Sequence, residues 1–482
     1  MTFTILNYTM KHMFIPAILQ KMNSFFKKGG FEAYLVGGAV RDMIRGKEAN
    51  DWDIATNASP QDVMRMFSQV IPTGIDHGTV TVHFMGKEIE VTTYRTESAY
   101  SDGRHPDAVS YAATIEEDLS RRDFTMNAVA MDLNTGMVVD PFSGITDIKK
   151  GLIRTVGNAV DRFSEDGLRP VRAVRFASQL GFSIEDDTFS AISKVLSITE
   201  KISIERFRDE FLKMLMSPKP SQALEMMETT GLLSLFIPEL LQCRGITQAD
   251  ERGHHQFDVL DHLFASCDGA SFYQFDSTTH LAALFHDIGK PLVRKEEMKA
   301  LNPSNPKKLS PIITFFNHEK ASAQRASLIL ERLRLPKKHI QIVSHLILHH
   351  MFHYESSWSD AAVRRFVVRI GPEFIDALFN LRYCDVYGMT GQPPLLHNSQ
   401  WADTLIEFKD RIKKVLDEKS ALSLKDLSVN GKDIMNLGIP SGKHIGMILE
   451  ELFAMVVDNP GENERENLLT IANNLWKRYS SR

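Results

Sequence analysis

Asp51 and Asp53 stand one residue apart in Asn50-Asp-Trp-Asp-Ile-Ala-Thr, and a Gly37-Gly38 pair lies a short way upstream in Tyr34-Leu-Val-Gly-Gly-Ala-Val-Arg. Side chains alternate along a strand, so the two carboxylates project from one face while Trp52 and Ile54 project from the other, into the core. Like charges held this close repel, and a hard divalent cation with oxygen ligands, Mg²⁺ above all, relieves the repulsion. Gly37 and Gly38 allow positive φ and leave bare amides at a helix start, an anion pocket suited to a triphosphate, and Arg41 can reach the same phosphates. Together these parts describe nucleotidyl transfer: metal ions at Asp51 and Asp53 lower the pKa of an attacking hydroxyl and stabilise a pyrophosphate leaving group in an in-line displacement. An isolated Asp-x-Asp is most often a solvated turn or strand pair; the Gly-Gly turn and the flanking strands give this one its weight.

The elements that must position these residues are short. Phe31 to Val36 is apolar and β-prone, Ala39 to Ile44 suits a helix ended by Gly46, and Asp51 and Asp53 lie on the next strand. Gly78 to Phe84, Glu88 to Thr93 and Met137 to Asp140 are strand-like, and Pro60 to Phe67 reads as a helix capped by Ser59. Glu90 falls on a strand after the Asp51/Asp53 strand, and is read either as a third carboxylate or as an ordinary polar strand face. Arg95 to Ser110, rich in Ser, Asp, Gly, His and Pro, reads as a mobile loop. From Val171 to about Ile237 the pattern is helical, with Phe176, Leu180, Phe207, Phe211, Leu215 and Leu224 as core. After Pro393-Pro394 comes a charged helical segment. Gly438-Ile-Pro-Ser-Gly-Lys then leads into an amphipathic helix with Ile445, Ile448, Leu449, Leu452 and Val456 on one face.

A second cluster lies between His254 and His353, a 100-residue stretch holding eleven of the chain's 17 histidines. The residues of interest are His262 in Val-Leu-Asp-His-Leu, His286-Asp287 in Leu-Phe-His-Asp-Ile-Gly-Lys-Pro, His318 in Asn-His-Glu, His349-His350 after an apolar helix, and Asp385 in Tyr-Cys-Asp-Val-Tyr. Between them, Lys299 to Pro311 reads as a loop rich in Pro, Asn and Lys.

The 482 residues, 43% hydrophobic and 24% charged, describe a globular protein of two or more domains. A net charge of -5 excludes wholesale polyanion binding, so nucleic acid must be met by local basic surface. Lys149 to Arg175 is one such place, although a solvated helix face is its bland reading. Three widely spaced cysteines fit a reducing cytoplasm, and no apolar run is long enough to span a bilayer.

Tyr34 to Thr56, Glu90-Val-Thr-Thr-Tyr-Arg-Thr-Glu, Asp102-Gly-Arg-His-Pro-Asp, Arg121-Arg-Asp-Phe-Thr-Met-Asn-Ala and Glu165-Asp-Gly-Leu-Arg together resemble the class II tRNA nucleotidyltransferase and bacterial poly(A) polymerase family. The resemblance covers most of the chain, in the family's motif order. It implies an α+β protein: a small mixed α/β head of the polymerase β type over residues 1–157, then an all-helical neck and RNA-binding body (158–245), a domain 246–395 and a helical tail (396–482). It implies addition of the 3′ C-C-A end of tRNA, gripped at its acceptor end, from CTP and ATP with Mg²⁺. Arg122 becomes a phosphate clamp, Asp123 and Asn127 become triphosphate and ribose ligands, and Arg172 and Arg175 extend the nucleotide-binding set. The Asp102-Gly-Arg-His-Pro loop favours an enzyme able to add the final A. An A-only adding enzyme or a poly(A) polymerase is the alternative within this class. Domain 246–395 resembles the HD phosphohydrolases, which makes His262, His286, Asp287 and Asp385 ligands of Mn²⁺, Co²⁺, Ni²⁺ or Zn²⁺, for hydrolysis of a phosphate ester on an RNA end. From that side, the chain is alternatively an HD hydrolase whose head only binds RNA.

Nucleotide choice is read from Asp166 and Arg169. Cytosine and adenine both place an exocyclic amino donor beside a ring-nitrogen acceptor, whereas uracil and guanine present the opposite order. An Asp acceptor beside an Arg donor therefore matches C and A. The i, i+3 spacing puts both on one helix face, while Pro170 fits only a first turn and also allows the pair to straddle a helix start.

Overall fold

The computed structural model describes residues 13–49, 51–75, 78–98, 108–248, 257–300, 309–393, 399–418 and 421–480. The chain forms two compact units, Met1–Leu241 and Gln242–Arg482.

In the first unit a seven-stranded sheet has the order β3-β4-β5-β2-β1-β8-β9. Its strands are β1 (Ala33–Val36), β2 (Trp52–Thr56), β3 (Val70–Gly74), β4 (Thr79–Phe84), β5 (Lys87–Thr93), β8 (Ala130–Asp132) and β9 (Val138–Val139). β6 (Arg95–Ser98) and β7 (Ala108–Tyr111) form a separate antiparallel pair. The sheet is antiparallel except between β2 and β5, whose parallel pairing needs the crossover supplied by helix Pro60–Met66 and the β3–β4 hairpin. That helix starts at a capping box in which the Ser59 hydroxyl accepts from the Asp62 N–H and the Asp62 carboxylate accepts from the Ser59 N–H. Leu35, Ile54, Val80, Val82 and Ile89 are fully buried, as their alternation requires.

Two loop readings need correction. Arg95 to Ser110 is not all loop, since its ends pair as β6 and β7, while Asp102-Gly-Arg-His-Pro lies outside the described residues. Likewise Lys299 to Pro311 begins and ends within a hairpin of β12 (Lys295–Ala300) and β13 (Leu309–Thr314). In both, turn-rich composition hid a pairing supplied by residues across the loop. β10 (Leu152–Ile153) and β11 (Ser183–Ile184) form a short parallel pair, and apart from β11 and the β12–β13 hairpin the described residues beyond the head are mostly helical. There Phe207, Phe211, Leu215 and Leu224 are fully buried, and Phe207 stacks on Phe236 with ring centres 3.8 Å apart.

In the second unit, helices Val259–Phe272 and Ile375–Thr390 pack at two glycines. A Cβ at Gly388 would lie 2.1 Å from Ser266 Oγ, and one at Gly269 would lie 2.8 Å from the Tyr387 Cβ, so only bare backbone permits this approach. Ile448, Leu452 and Val456 of helix Lys443–Asp458 are fully buried in the tail's own core, with Ile445 and Leu449 packed against it. Among the described residues, no helix is long and apolar enough to cross a membrane.

Candidate active site and metal cluster

The head site is built where β1 ends beside β2. Gly37 caps helix Gly38–Ile44 at φ +71, and a Cβ on it would come within 3.3 Å of both Asp53 Oδ2 and Arg122 Nη1. Its backbone conformation favours glycine, and a side chain there would crowd the carboxylate and the guanidinium. Asp53 lies opposite Val36 on β1 and opposite Glu90 on β5. Burial, then Glu90, then Asp51 push the Asp53 carboxyl up to about 6, against the opposing pull of Arg122. Asp51, just before the strand, is exposed.

A cavity of about 420 Å³ opens here, lined by Gly37, Gly38, Arg41, Asp53, Arg121, Arg122, Asp123, Asn127, Asp166, Arg169, Arg172 and Phe176. Of the residues singled out from sequence for nucleotide and metal binding in the first unit, it collects all but Asp51, Glu90 and Arg175. Its walls are braced by a chain of hydrogen bonds. Arg41 Nη1 donates to Asn127 Oδ1 (3.1 Å), Asn127 Nδ2 donates to Asp123 Oδ1 (3.1 Å), and Arg172 Nε donates to Asp123 Oδ2 (2.9 Å). Burial opposes charge on Asp123, but Arg172 and these bonds outweigh it and hold the carboxyl down at about 2. Arg122 is paired with Asp118 at 3.2 Å. Arg175 packs over the Phe176 ring, 3.7 Å from its centre, and pairs with Glu210.

Asp166 and Arg169 share this cavity, joined by a backbone hydrogen bond from the Arg169 N–H to the Asp166 carbonyl (3.0 Å), while their side chains have other partners. Asp166 ends helix Ala159–Glu165, while Arg169 and Pro170 belong to the first turn of Leu168–Leu180, so the pair straddles a helix start. Arg206 grips both Asp166 oxygens, at 3.1 and 2.8 Å. Arg169 donates to Glu165 and to the carbonyls of Arg162 (2.8 Å) and Arg121 (3.2 Å). The basic run Lys149 to Arg175 is therefore not a single solvated face; much of it is spent on such pairs, including Arg154 with Asp147 and Glu185.

In the second unit His262, His286, Asp287 and Asp385 meet in one buried bowl. His262 Nε2 lies 3.0 Å from His286 Nε2, 3.5 Å from Asp287 Oδ2 and 3.4 Å from Asp385 Oδ1. Helix Ser277–Phe285 ends just before the doublet, and the turn beyond it lets adjacent His286 and Asp287 face one space, where a helix would have spread them. Sequence reasoning did not count His318 and His350 among the ligands. Their Nε2 atoms lie 3.2 and 3.7 Å from Asp287 Oδ1 and 3.3 Å from each other. His286, His318 and His350 share one device: each Nδ1 donates to the carbonyl three residues back, of Ala283, Phe315 and Ile347, at 2.9, 2.8 and 2.7 Å. In its neutral form each ring thus turns an Nε2 lone pair inward, the second-sphere arrangement of metal-binding imidazoles. Lone pairs facing one another at such distances repel, and a cation between them resolves the conflict. Burial disfavours charge on His286, yet Asp287 and Asp385 outweigh it and raise the ring to about 10, so the bowl favours positive charge. Lys290 on Asp287 (2.6 Å) and Arg382 on Asp385 (2.7 Å) close the cluster. His280 and His345 lie apart, bonded to the carbonyls of Asp276 and Ile370.

Comparison with known proteins accords with this geometry. The family model for the poly(A) polymerase head domain matches residues 33–154, one described as a probable RNA and SrmB-binding site of polymerase A matches 181–243, and the HD domain model matches 252–398. The CCA-adding enzyme of Lactobacillus johnsonii is 49% identical over 215 residues, 45% of this chain, an alignment that spans about half (53%) of that relative's length. The CCA-adding enzyme of Levilactobacillus brevis is 34% identical over 92% of this chain and 94% of its own. The structure of the Bacillus stearothermophilus CCA-adding enzyme in complex with CTP superposes with a TM-score of 0.70 at 30% identity, covering 96% of this chain and 97% of that one. With the Levilactobacillus relative matched almost end to end and the head, RNA-binding and HD models in sequence, the chain belongs to the CCA-adding enzyme family.

Proposed function

We propose that this chain adds the 3′-terminal C-C-A sequence to tRNA from CTP and ATP, with a head of residues 1–157, a neck and body of 158–245 that grip the acceptor end, an HD domain of 246–395 and a helical tail of 396–482. The observation that carries the reading is one cavity holding the bare Gly37 backbone, the Asp53 carboxylate, an arginine-lined recess and the Asp166/Arg169 acceptor and donor. Asp51, Asp53 and Glu90 form a carboxylate set that fits Mg²⁺, since burial and mutual repulsion already burden Asp53. Bound there, the ion supplies activation of the RNA 3′ hydroxyl and charge stabilisation on the leaving pyrophosphate. Gly37, Gly38, Arg41 and Arg122 receive the triphosphate, Asp123 and Asn127 the ribose side, and Arg172 holds Asp123 ionised. Arg175 supports Phe176 from behind. Asp166 accepts from the exocyclic amino group of C or A, and Arg169 donates to the ring nitrogen. Three buried, free cysteines suit the reducing cytoplasm, where tRNA is matured. The test offers tRNAs ending before C, after C and after C-C, each with one labelled triphosphate. C incorporation on the first two and A on the third is the expected result; A alone, on the C-C end alone, overturns it in favour of an A-adding enzyme.

A second activity is favoured by the bowl in the HD domain. Its donor set, four imidazoles and two carboxylates, fits Mn²⁺, Co²⁺, Ni²⁺ or Zn²⁺ better than Mg²⁺. Such an ion supplies a hydroxide near neutral pH. His262, His286 and Asp385 hold one side of the bowl, His318 and His350 the other, and Asp287 stands between them. This arrangement suits hydrolysis of a phosphate ester on an RNA end, which frees a 3′ hydroxyl for the head.

A further inference from the structure

Behind the arginine wall of the head cavity stands a carboxylate that is not part of the lining. Asp118, 1% exposed, lies on helix Ile115–Ser120, and Arg121 and Arg122 follow three and four residues later. The turn carries on past the helix end, where the Arg122 N–H donates to the Leu119 carbonyl (3.2 Å), so this spacing brings all three side chains to one face. Asp118 Oδ1 accepts from Arg121 Nε (3.0 Å) and Nη2 (2.8 Å), and Oδ2 accepts from Arg122 Nε (3.4 Å) and Nη2 (3.2 Å). Each oxygen thus holds one guanidinium by the edge formed by Nε and Nη2. For Arg122 the remaining corner, Nη1, lies 3.5 Å from the Asn127 carbonyl and 3.3 Å from where a Cβ on Gly37 would be. Both arginines line the cavity. Burial opposes charge on Asp118, but Arg122 and Arg121 outweigh it and hold the carboxyl below its ordinary value.

We infer that Asp118 is a positioning residue for nucleotidyl transfer: it fixes the Arg121 and Arg122 guanidiniums as a clamp for the triphosphate, and so sets the affinity for CTP and ATP alike. The inference rests on the proposed reading of the head cavity and adds the residue that prepares its cationic wall. One carboxylate against two guanidiniums leaves the trio with a net positive charge, which a triphosphate meets. An arginine free to rotate loses that freedom when it grips a phosphate, whereas one already pinned by an edge has little left to lose. The charge of Asp118 by itself repels a triphosphate, so its field and its grip act with opposite signs. That opposition makes the two roles separable. Base reading is separable too, because Arg169 donates to the main-chain carbonyl of Arg121 rather than to its side chain, and Asp166 is held by Arg206.

The experiment uses the full-length protein with Mg²⁺. Asp118→Ala leaves two buried guanidinium edges without an acceptor and threatens the fold, so the deciding variant is the near-isosteric Asp118→Asn, whose folding is checked by thermal melting. Its amide keeps one acceptor oxygen and turns an N–H₂ toward the other guanidinium. CTP binding, measured by calorimetry, should weaken about 10- to 100-fold, the range for losing a hydrogen bond to a charged group. KM for CTP on tRNA ending before C, and for ATP on tRNA ending after C-C, should rise by the same factor, with kcat within about threefold of the parent's. The ratio of UTP to CTP incorporation should stay at the parent value, and Asp118→Glu, which keeps both acceptors and the charge, should restore part of the affinity. Unchanged CTP binding in folded Asp118→Asn overturns the inference and leaves Asp118 to stability alone. Tighter binding overturns it in favour of the bare field, and a changed UTP-to-CTP ratio overturns it in favour of a role in base reading. A parent protein that binds no CTP overturns the reading of the cavity itself, and the inference with it.

Discussion

Asp53 on β2 and Glu90 on β5 stand directly opposite each other in the parallel pair of the head sheet, so their carboxylates leave the same face. Glu90 is the second-largest cause, after burial, of the raised Asp53 carboxyl. Glu90→Gln therefore weakens Mg²⁺ binding about 10- to 100-fold, as loss of a partner to a metal ligand does, while tRNA affinity stays near the parent's. Asp53→Ala costs far more, about 10³-fold or beyond in rate, because the ion is then no longer positioned. Mg²⁺ titrations of C addition separate the two; equal, complete loss in both variants makes Glu90 an obligatory ligand.

The same carboxyl sets a pH dependence. Its pKa in the fold, about 6, is above the ordinary value of 3.8, so the folded state binds its proton more tightly than the unfolded chain. Below about 6, Mg²⁺ must displace that proton, and its apparent affinity falls as the pH is lowered, by up to about tenfold per unit. For stability the sign is the reverse of that for a salt-bridged Asp. As pH rises from 3.8 through 6, ionising Asp53 costs the fold of the order of 1–3 kcal/mol in Mg²⁺-free buffer. Asp53→Asn is accordingly more stable than the parent at pH 7 and equal to it at pH 3.5, as denaturant midpoints will report.

Arg206 holds both oxygens of Asp166, so on the proposed base-reading role of Asp166 it is a positioning residue for nucleotide choice. Releasing the carboxylate leaves it free to rotate away from the base edge. Arg206→Ala should raise UTP incorporation relative to CTP about tenfold or more, and Arg206→Lys, which keeps the charge but not the fork, should restore part of the selectivity. Asp166→Ala or Arg169→Ala should blur the choice further. A lower rate at unchanged selectivity in all of these variants would remove the base-reading role.

What the sequence revealed follows the range of the interactions involved. Gly37-Gly38 and Asp53 were legible because one turn and one strand bring them together, whereas Asp51 precedes the strand and lies outside the cavity, and Ser59 announced its helix through a local capping box. Glu90 became a partner of Asp53 only through strand register, and Arg206 a partner of Asp166 only through helix packing; neither leaves a local pattern. His318 and His350 had a signal, the local surplus of histidines, which a four-ligand motif passed over. What makes them candidate ligands, an Nδ1 bond to the carbonyl three residues back, is a property of the folded backbone.

Gly388 gives a probe of the HD bowl that touches no ligand. A methyl group there would sit 3.0 Å from His262 Cε1 and closer still to Ser266 Oγ, forcing helix Val259–Phe272 outward and His262 with it. Gly388→Ala should cost about 1–3 kcal/mol of stability, typical of overpacking, and lower the metal content of purified protein. Full metal occupancy in a destabilised Gly388→Ala would mean that His262 does not hold the ion.

Asp287 faces four imidazoles at 3.2 to 3.7 Å and Lys290 at 2.6 Å, and stands at the centre of the bowl. Burial alone would raise its carboxyl, but Lys290 and His286 reverse that and keep it well below the usual range, so it is ionised throughout the working pH range. Asp287→Ala removes the anion that both halves of the bowl share, and should abolish metal binding and any phosphatase or cyclic phosphodiesterase activity assayed with Ni²⁺, Co²⁺ or Mn²⁺. The head lies in a separate compact unit, with its own carboxylates and its own cavity. C and A addition by Asp287→Ala should therefore proceed at the parent rate on tRNA with a free 3′ hydroxyl. On tRNA whose 3′ end is blocked by a phosphate, the parent should first unblock and then extend, whereas Asp287→Ala should leave the end untouched, because a phosphorylated oxygen cannot act as the nucleophile. Extension of blocked tRNA by Asp287→Ala would assign the unblocking to some other site, and a bowl that stays metal-free in the parent would reduce the four histidines to a polar core.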